Sequence, residues 1–421
     1  MCDTFYKRGD RTVIFGKNSD RGCNEPNLTV VSPVRRGGGD LKCTYITIPD
    51  APSQRTILVK PSWTWGAEMG VNEAGVAIGN EAVFSKKKSK TPSLIGMDYV
   101  RLALERGKCA RDAADIIISL LKEYGQGGNC GFDHNFYYDN SYLIADRVEA
   151  YILETAGCDY ALKKLENEGN ISNRLSIETD YDECSLKEGT NFKKSFSDKI
   201  FTTFSASGNR ECTGAFALKN QKSTVYNMMN TLRIHLPVDE EKLYLKGSVG
   251  SVCMHQSLLG DHTTGSMMVD LSVDYPTVWV TGASTPCQSV FKPVYFDCPC
   301  PPLFTNEKQS LGYWLEREYI NRALFSGYID RAKFMEKARA LENSFIAEES
   351  SIRKSGGDKR ALHDLAEKAS LLEQALIDSY YEIGDKIKSG AELCGVWAKK
   401  TEKLRRLISA PDKFFKPFTE R

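Results

Sequence analysis

Over the first 300 residues or so, apolar positions come in short β-branched runs divided by turn residues. Thr12–Phe15, Thr44–Ile48 and Thr56–Val59 predict strands, because β-branched side chains fit a pleated, half-buried surface. Val76–Ile78 predicts another, ending at Gly79–Asn80, and Thr277–Thr281 predicts a late one. Tyr142–Ala145 and Ala150–Glu154 flank Asp146–Glu149 and predict a hairpin. Two helices interrupt the strands. Asp112–Tyr124 is apolar at Ala113, Ile116, Ile117, Leu120 and Leu121, a helical stripe that Gly125 ends, and Ser223–Ile234 is the second. Many strands with few amphipathic helices predict the stacked layers of an α+β fold.

The pattern changes after Cys298–Pro299–Cys300–Pro301–Pro302, where proline breaks both helix and strand. From Leu311 to Leu407 the spacing is helical, interrupted at Gly356–Gly357 and resumed through Leu362, Leu365, Ala366, Ala369 and Leu372. We therefore divide the chain into a main domain, residues 1–303, and a helical C-terminal extension, residues 304–421. The extension reads as an appendage packed on the main domain; the other use for it is an oligomerisation hairpin, which would make a homo-oligomer.

Composition narrows the class. The 421 residues carry 56 basic and 55 acidic side chains, so there is no electrostatic case for a nucleic acid or an anionic membrane as partner. No apolar run approaches the roughly 18 residues of a membrane span, and the start lacks the apolar segment of a secretory signal. Thirteen cysteines, odd in number and scattered, predict free thiols and a cytoplasmic location. The five histidines form no HExxH motif, Cys298 and Cys300 are a lone CxC, and His255 and His262 read as polar loop residues, so neither metal nor cofactor is expected. Gly125–Cys130 (GQGGNC) lacks the GK[ST] ending of a phosphate loop, and no GxSxG is present.

The remaining candidate is Cys2. Removal of Met1 would leave one residue carrying both a thiol and a free α-amine, nucleophile and base together, with almost no orientational entropy to lose. Gly16–Arg21 reads as a turn after the strand Thr12–Phe15, and a hairpin turning near Lys7–Arg11 would return its charged cluster, Lys17, Asp20 and Arg21, to the chain start. There Asp20 could hold the ammonium, and Lys17 or Arg21 could lower the thiol pKa or meet the substrate. The side-chain amides of Asn80 and Asn173 suit an oxyanion.

These residues lie in blocks that resemble the secernins, a branch of the cysteine-type dipeptidases among the N-terminal nucleophile hydrolases. The blocks are MCDTF, FGKNSDR, CTYITIP, WTWGAEMGVNEAGVAIGNEAV, LIGMDYVRLALERG, YGQGGNC, SYLIADRVEAYILETAG, NISNRLSI, TTGSMM and SVFKPVYF, in order over the first 297 residues. The tail resembles the family loosely, ending in DKFFK. The resemblance implies a four-layer α/β/β/α sandwich and hydrolysis of a small peptide or an N-acyl amide. It implies Cys2 as nucleophile with its own amine as base, Asp20 positioning the terminus, Asn80 and Asn173 serving the oxyanion, and Arg210 as an active-site arginine. Lys17 stands where the wider group has arginine; it keeps the charge and loses the planar fork. Some secernins are associated with exocytosis and some lack the nucleophile, which is the non-catalytic alternative.

Overall fold

In the computed structural model, the residues described are 1–198, 202, 205–237, 240–257, 260–298, 302–393 and 395–417. Their strands are β1 (Cys2–Arg8), β2 (Val13–Arg21), β3 (Asn27–Ser32), β4 (Asp40–Lys42), β5 (Thr47–Pro49), β6 (Thr56–Pro61), β7 (Met69–Asn72) and β8 (Ala77–Val83). There follow β9 (Asp139–Ala145), β10 (Ala150–Ala156), β11 (Asp159–Leu165), β12 (Glu168–Ile171), β13 (Glu183–Cys184), β14 (His262–Asp270), β15 (Thr277–Val280) and β16 (Lys292–Val294). Among the described residues two large antiparallel sheets result, ordered β12-β1-β2-β14-β15-β16 and β13-β11-β10-β9-β8-β7-β6-β3, and β4 and β5 pair as a separate two-stranded one.

The sheets stack face to face. Tyr6, Phe15, Met267, Val269 and Val280 of the first meet Ile57, Val71, Leu143 and Ile152 of the second. Helices Gly96–Arg106 and Ala110–Tyr124 cover the outer face of the eight-stranded sheet, with Tyr99, Leu102, Ile117 and Leu121 against Ile78, Ile144 and Leu153. Helices Ser207–Lys219 and Val225–Thr231 cover the outer face of the six-stranded sheet over Phe5, Ile14 and Met268. This is the four-layer α/β/β/α sandwich. Alternation along each strand, apolar toward one layer and then toward the other, buries nearly every position of the central strands β2, β6, β7, β8, β9, β10 and β14.

Among the described residues of the tail, five α-helices follow, Glu307–Phe325, Arg331–Lys354, Lys359–Asp378, Tyr381–Ser389 and Val396–Ile408. The first packs along β3 and the next two along β16, so the tail shields an edge strand of each sheet. Trp314 donates its indole N–H to the Thr264 carbonyl at 2.9 Å, and Trp397 donates to the Tyr244 carbonyl at 3.0 Å. The break at Gly356–Gly357 falls between two helices as predicted; of the proline-rich break, 299–301 lie outside the described residues.

Two sequence expectations fail here. Residues 44–46 are loop before the short strand β5, and Gly16–Arg21, expected as a turn, continues β2 with every residue buried. Its polar side chains are accepted in a strand because each finds a partner. Asn18 donates to the carbonyls of Leu232 and Val252 at 2.7 and 2.9 Å and accepts from Ser266, and Lys17 reaches Glu81.

Candidate active site

The β1–β2 hairpin forms in the predicted place and pairs Cys2 with Ser19. Alternation then sorts the site. Cys2, Thr4, Lys17 and Ser19 face the gap between the sheets, while Asp3, Asn18 and Asp20 face outward toward the helices. The Cys2 thiol sits 3.6 Å from Glu68 Oε2 and 4.0 Å from Ser19 Oγ. It lines a cavity of about 340 Å³ together with Met1, Asp20, Glu68, Ala82 and Tyr138. Larger cavities elsewhere, beside Arg174 and under the tail, are lined by no cysteine.

The backbone N–H of Cys2 donates to Asn173 Oδ1 at 2.8 Å. Arg210 donates to the same oxygen at 2.6 Å and is itself paired with Asp3 at 2.8 Å, all three residues being buried. This fixes the Asn173 amide with its oxygen toward the chain start. Its nitrogen gives one N–H to the Ala82 carbonyl at 2.9 Å, and Ala82 itself lines the cavity; the second N–H of the amide is not used in that bond. The Met1 ammonium donates to the Asp20 carbonyl at 2.5 Å and to Asp261 Oδ2 at 2.6 Å. Asp20 Oδ1 accepts from Thr263 at 2.6 Å, while its Oδ2 is buried without a partner.

Burial dominates the titration of the site. It pushes the Cys2 thiol up to about 12, with Lys17 pulling down and Glu68 pushing up. It likewise raises Asp20 and Glu81 to about 7. For Lys17, burial opposes the charge, but Cys2, Glu81 and Glu68 outweigh it and hold the ammonium. Lys17 donates to the Asn80 carbonyl at 2.7 Å and Glu81 at 3.1 Å. Gly79 permits this approach, since a Cβ there would lie 2.5 Å from Lys17 Cδ.

Three expected roles change. Lys17 is wholly buried and its donors are taken by protein oxygens, so it sets the field under the thiol and touches no ligand. Arg21 lines the cavity, but its five N–H groups are consumed by Glu25, Glu68, Tyr138 and the Cys130 carbonyl. Asn80 lies within β8, not at its end, and its amide donates to Asn140 on the helix-covered face, away from the thiol. The sequence reading passed over Glu68, Glu81, Asp3 and Asp261; a charged residue inside an otherwise apolar strand block, as in AEMGV, was the available signal.

Two histidines expected as polar loop residues are placed otherwise. His262 opens β14 and is fully buried, and His255 meets His235, Cys253 and Cys287, with all four donor atoms within 4.8 Å of one another.

No protein-family model matches the chain. Among solved structures, it is similar to a mutant conjugated bile acid hydrolase from Clostridium perfringens over 70% of this chain and 93% of that one, at 10% identity and a TM-score of 0.45. It is similar to a penicillin V acylase from Agrobacterium tumefaciens over 73% and 89%, at 9% identity and a TM-score of 0.43. A third, the Caenorhabditis elegans ortholog of N-acylethanolamine-hydrolyzing acid amidase, covers 65% and 94%, at 10% identity and a TM-score of 0.35. Among the described residues, no helix is long and apolar enough to cross a membrane.

Proposed function

We propose that the chain is a cysteine-dependent amide-bond hydrolase of the N-terminal nucleophile type, acting on dipeptides once Met1 has been removed. One observation carries this reading. The nitrogen that would become the Cys2 α-amine already rests on Asn173 Oδ1 at 2.8 Å, while the thiol of the same residue lines a cavity. The secernin-like blocks point the same way.

In the proposed cycle the amine takes the thiol proton as sulfur bonds to the substrate carbonyl carbon, and the oxyanion accepts the second N–H of Asn173. The C–N bond then breaks, with the leaving amine taking the proton. Water, deprotonated by the same α-amine, attacks the thioester, releases the acid and restores the thiol. Asp20, with an unbonded Oδ2, gives the ammonium form a further acceptor.

Asp261 supports the dipeptide. It holds an α-ammonium now, that of Met1, at 2.6 Å, and once Met1 is gone the same carboxylate is free for the ammonium of a peptide. A cavity of about 340 Å³ suits so small a ligand. The test is hydrolysis of dipeptide and N-acyl amide panels by wild type and Cys2→Ala, with intact mass reporting the first residue. Dipeptide turnover lost in Cys2→Ala is expected. Equal turnover in Cys2→Ala would overturn the mechanism. No turnover from a chain beginning at Cys2 would favour a non-catalytic interaction protein, and preference for N-acyl amides would overturn the substrate alone.

A further inference from the structure

The second cluster of reactive side chains belongs to a different part of the molecule. His235 follows helix Val225–Thr231, Cys253 and His255 lie on the segment before β14, and Cys287 follows β15. His235 Nε2 is 3.1 Å from His255 Nε2, Cys287 Sγ is 3.4 Å from that atom, and Cys253 Sγ is 3.7 Å from it.

Those separations have a specific meaning. Four ligands arranged tetrahedrally about a zinc ion, with Zn–N of about 2.0 Å and Zn–S of about 2.3 Å, stand about 3.3 Å apart for nitrogen pairs and about 3.5 Å for nitrogen with sulfur. The three edges that meet at His255 Nε2 fall within about 0.2 Å of that tetrahedron, and every other pair of donor atoms lies within 4.8 Å. The donor set also selects the ion. Two thiolates and two imidazoles are poor ligands for calcium or magnesium, which take oxygen. Two thiolates neutralise a divalent ion, as suits a site where Cys253 and His255 are fully buried.

We propose that His235, Cys253, His255 and Cys287 bind one structural zinc ion. Four protein ligands close the coordination shell, leaving no position for water or substrate, so the ion is a clip. It ties three segments separated by many residues. One of them backs the Cys2 site, for Met254, between two of the ligands, donates its N–H to Thr263 Oγ1 at 2.9 Å, and Thr263 donates to Asp20. Gln256, one residue beyond His255, lines the Cys2 cavity. The clip therefore fixes the wall on which Asp20 and the chain start rest.

The full-length chain, purified under reducing conditions without added chelator, should carry about one zinc per molecule by elemental analysis. Cys253→Ser combined with Cys287→Ser should bring this to background, while Cys2→Ser should retain it. Should the double variant fail to fold, the wild type still decides. Apoprotein titrated with cobalt(II) should show the intense visible bands of a tetrahedral ion with thiolate charge transfer, saturating at one equivalent and displaced by zinc. Metal-free protein with no tetrahedral cobalt spectrum, zinc retained in the double variant, or a Cys253–Cys287 disulfide in place of metal would each overturn the proposal. None of these readouts depends on peptide hydrolysis.

Discussion

The Met1–Cys2 bond is the perturbation with the largest expected effect. With Met1 attached, Cys2 offers an amide N–H where the mechanism needs an amine, and burial holds its thiol at about 12. Near neutral pH almost no chain then carries a thiolate, against a few per cent for an ordinary cysteine. A neutral α-amine on the same residue removes this barrier by taking the proton during attack; general-base assistance is worth about 10²–10⁴-fold. A chain with an uncleavable extension before Cys2 should therefore hydrolyse dipeptides about 10²–10⁴-fold more slowly than one whose extension a protease has trimmed to expose Cys2. Alkylation of Cys2 by iodoacetamide, followed by mass spectrometry of the N-terminal peptide, should slow in parallel. Hydrolysis by the blocked chain within about tenfold of the trimmed one, with the extension shown intact by mass, would refute the reasoning.

Three further outcomes are expected. Asn173→Ala removes the oxygen that receives the Cys2 nitrogen and the free N–H proposed for the oxyanion, so kcat should fall about 10²–10³-fold; Arg210→Lys should lower kcat as well, by releasing Asn173, with the circular dichroism spectrum unchanged. Asp261→Asn should raise KM about tenfold for free dipeptides and leave N-acetylated analogues unaffected, because only the former bring an ammonium; equal effects on both would exclude Asp261 as its acceptor. Glu154, buried and hydrogen-bonded to Ser176 and Ile177, is raised by burial from 4.5 to about 7. The folded chain thus keeps a proton that the unfolded chain loses, so this residue's stabilisation is whole below about pH 4.5 and lost as pH rises toward 7, at ~3 kcal/mol. Urea titrations of Glu154→Gln across that window should show a correspondingly flatter pH dependence than wild type.

The stacked layers and the hairpin that returns Asp20 to the chain start were legible along the chain because each rests on local pattern, strand runs and turn residues, while the order of the four layers came from the resemblance; a cysteine at position two marked Cys2 as the nucleophile proposed above. What escaped reading depends on partners distant in sequence. Gly16–Arg21 looked like a turn because an isolated strand with Lys17, Asn18 and Asp20 has no way to satisfy them; Glu81, Leu232, Ser266 and Thr263 do so from far along the chain. The same blindness inverted two assignments. A lysine and an arginine near a nucleophile suggest ligands for substrate, yet a buried cation survives only if the protein itself supplies its acceptors, and those acceptors occupy the donors a substrate would need. Asn80 illustrates the cost of a misplaced strand end. Placed at the terminus its amide would be free to swing toward the thiol, but inside β8 the two-residue repeat sends it to the face opposite Glu81. The His–Cys cluster is the extreme case, since only Cys253 and His255 are close in sequence and the other two ligands arrive from segments on either side. Local pattern thus reveals which strand carries Cys2, whereas the field around its thiol is set by contacts that the two stacked sheets create.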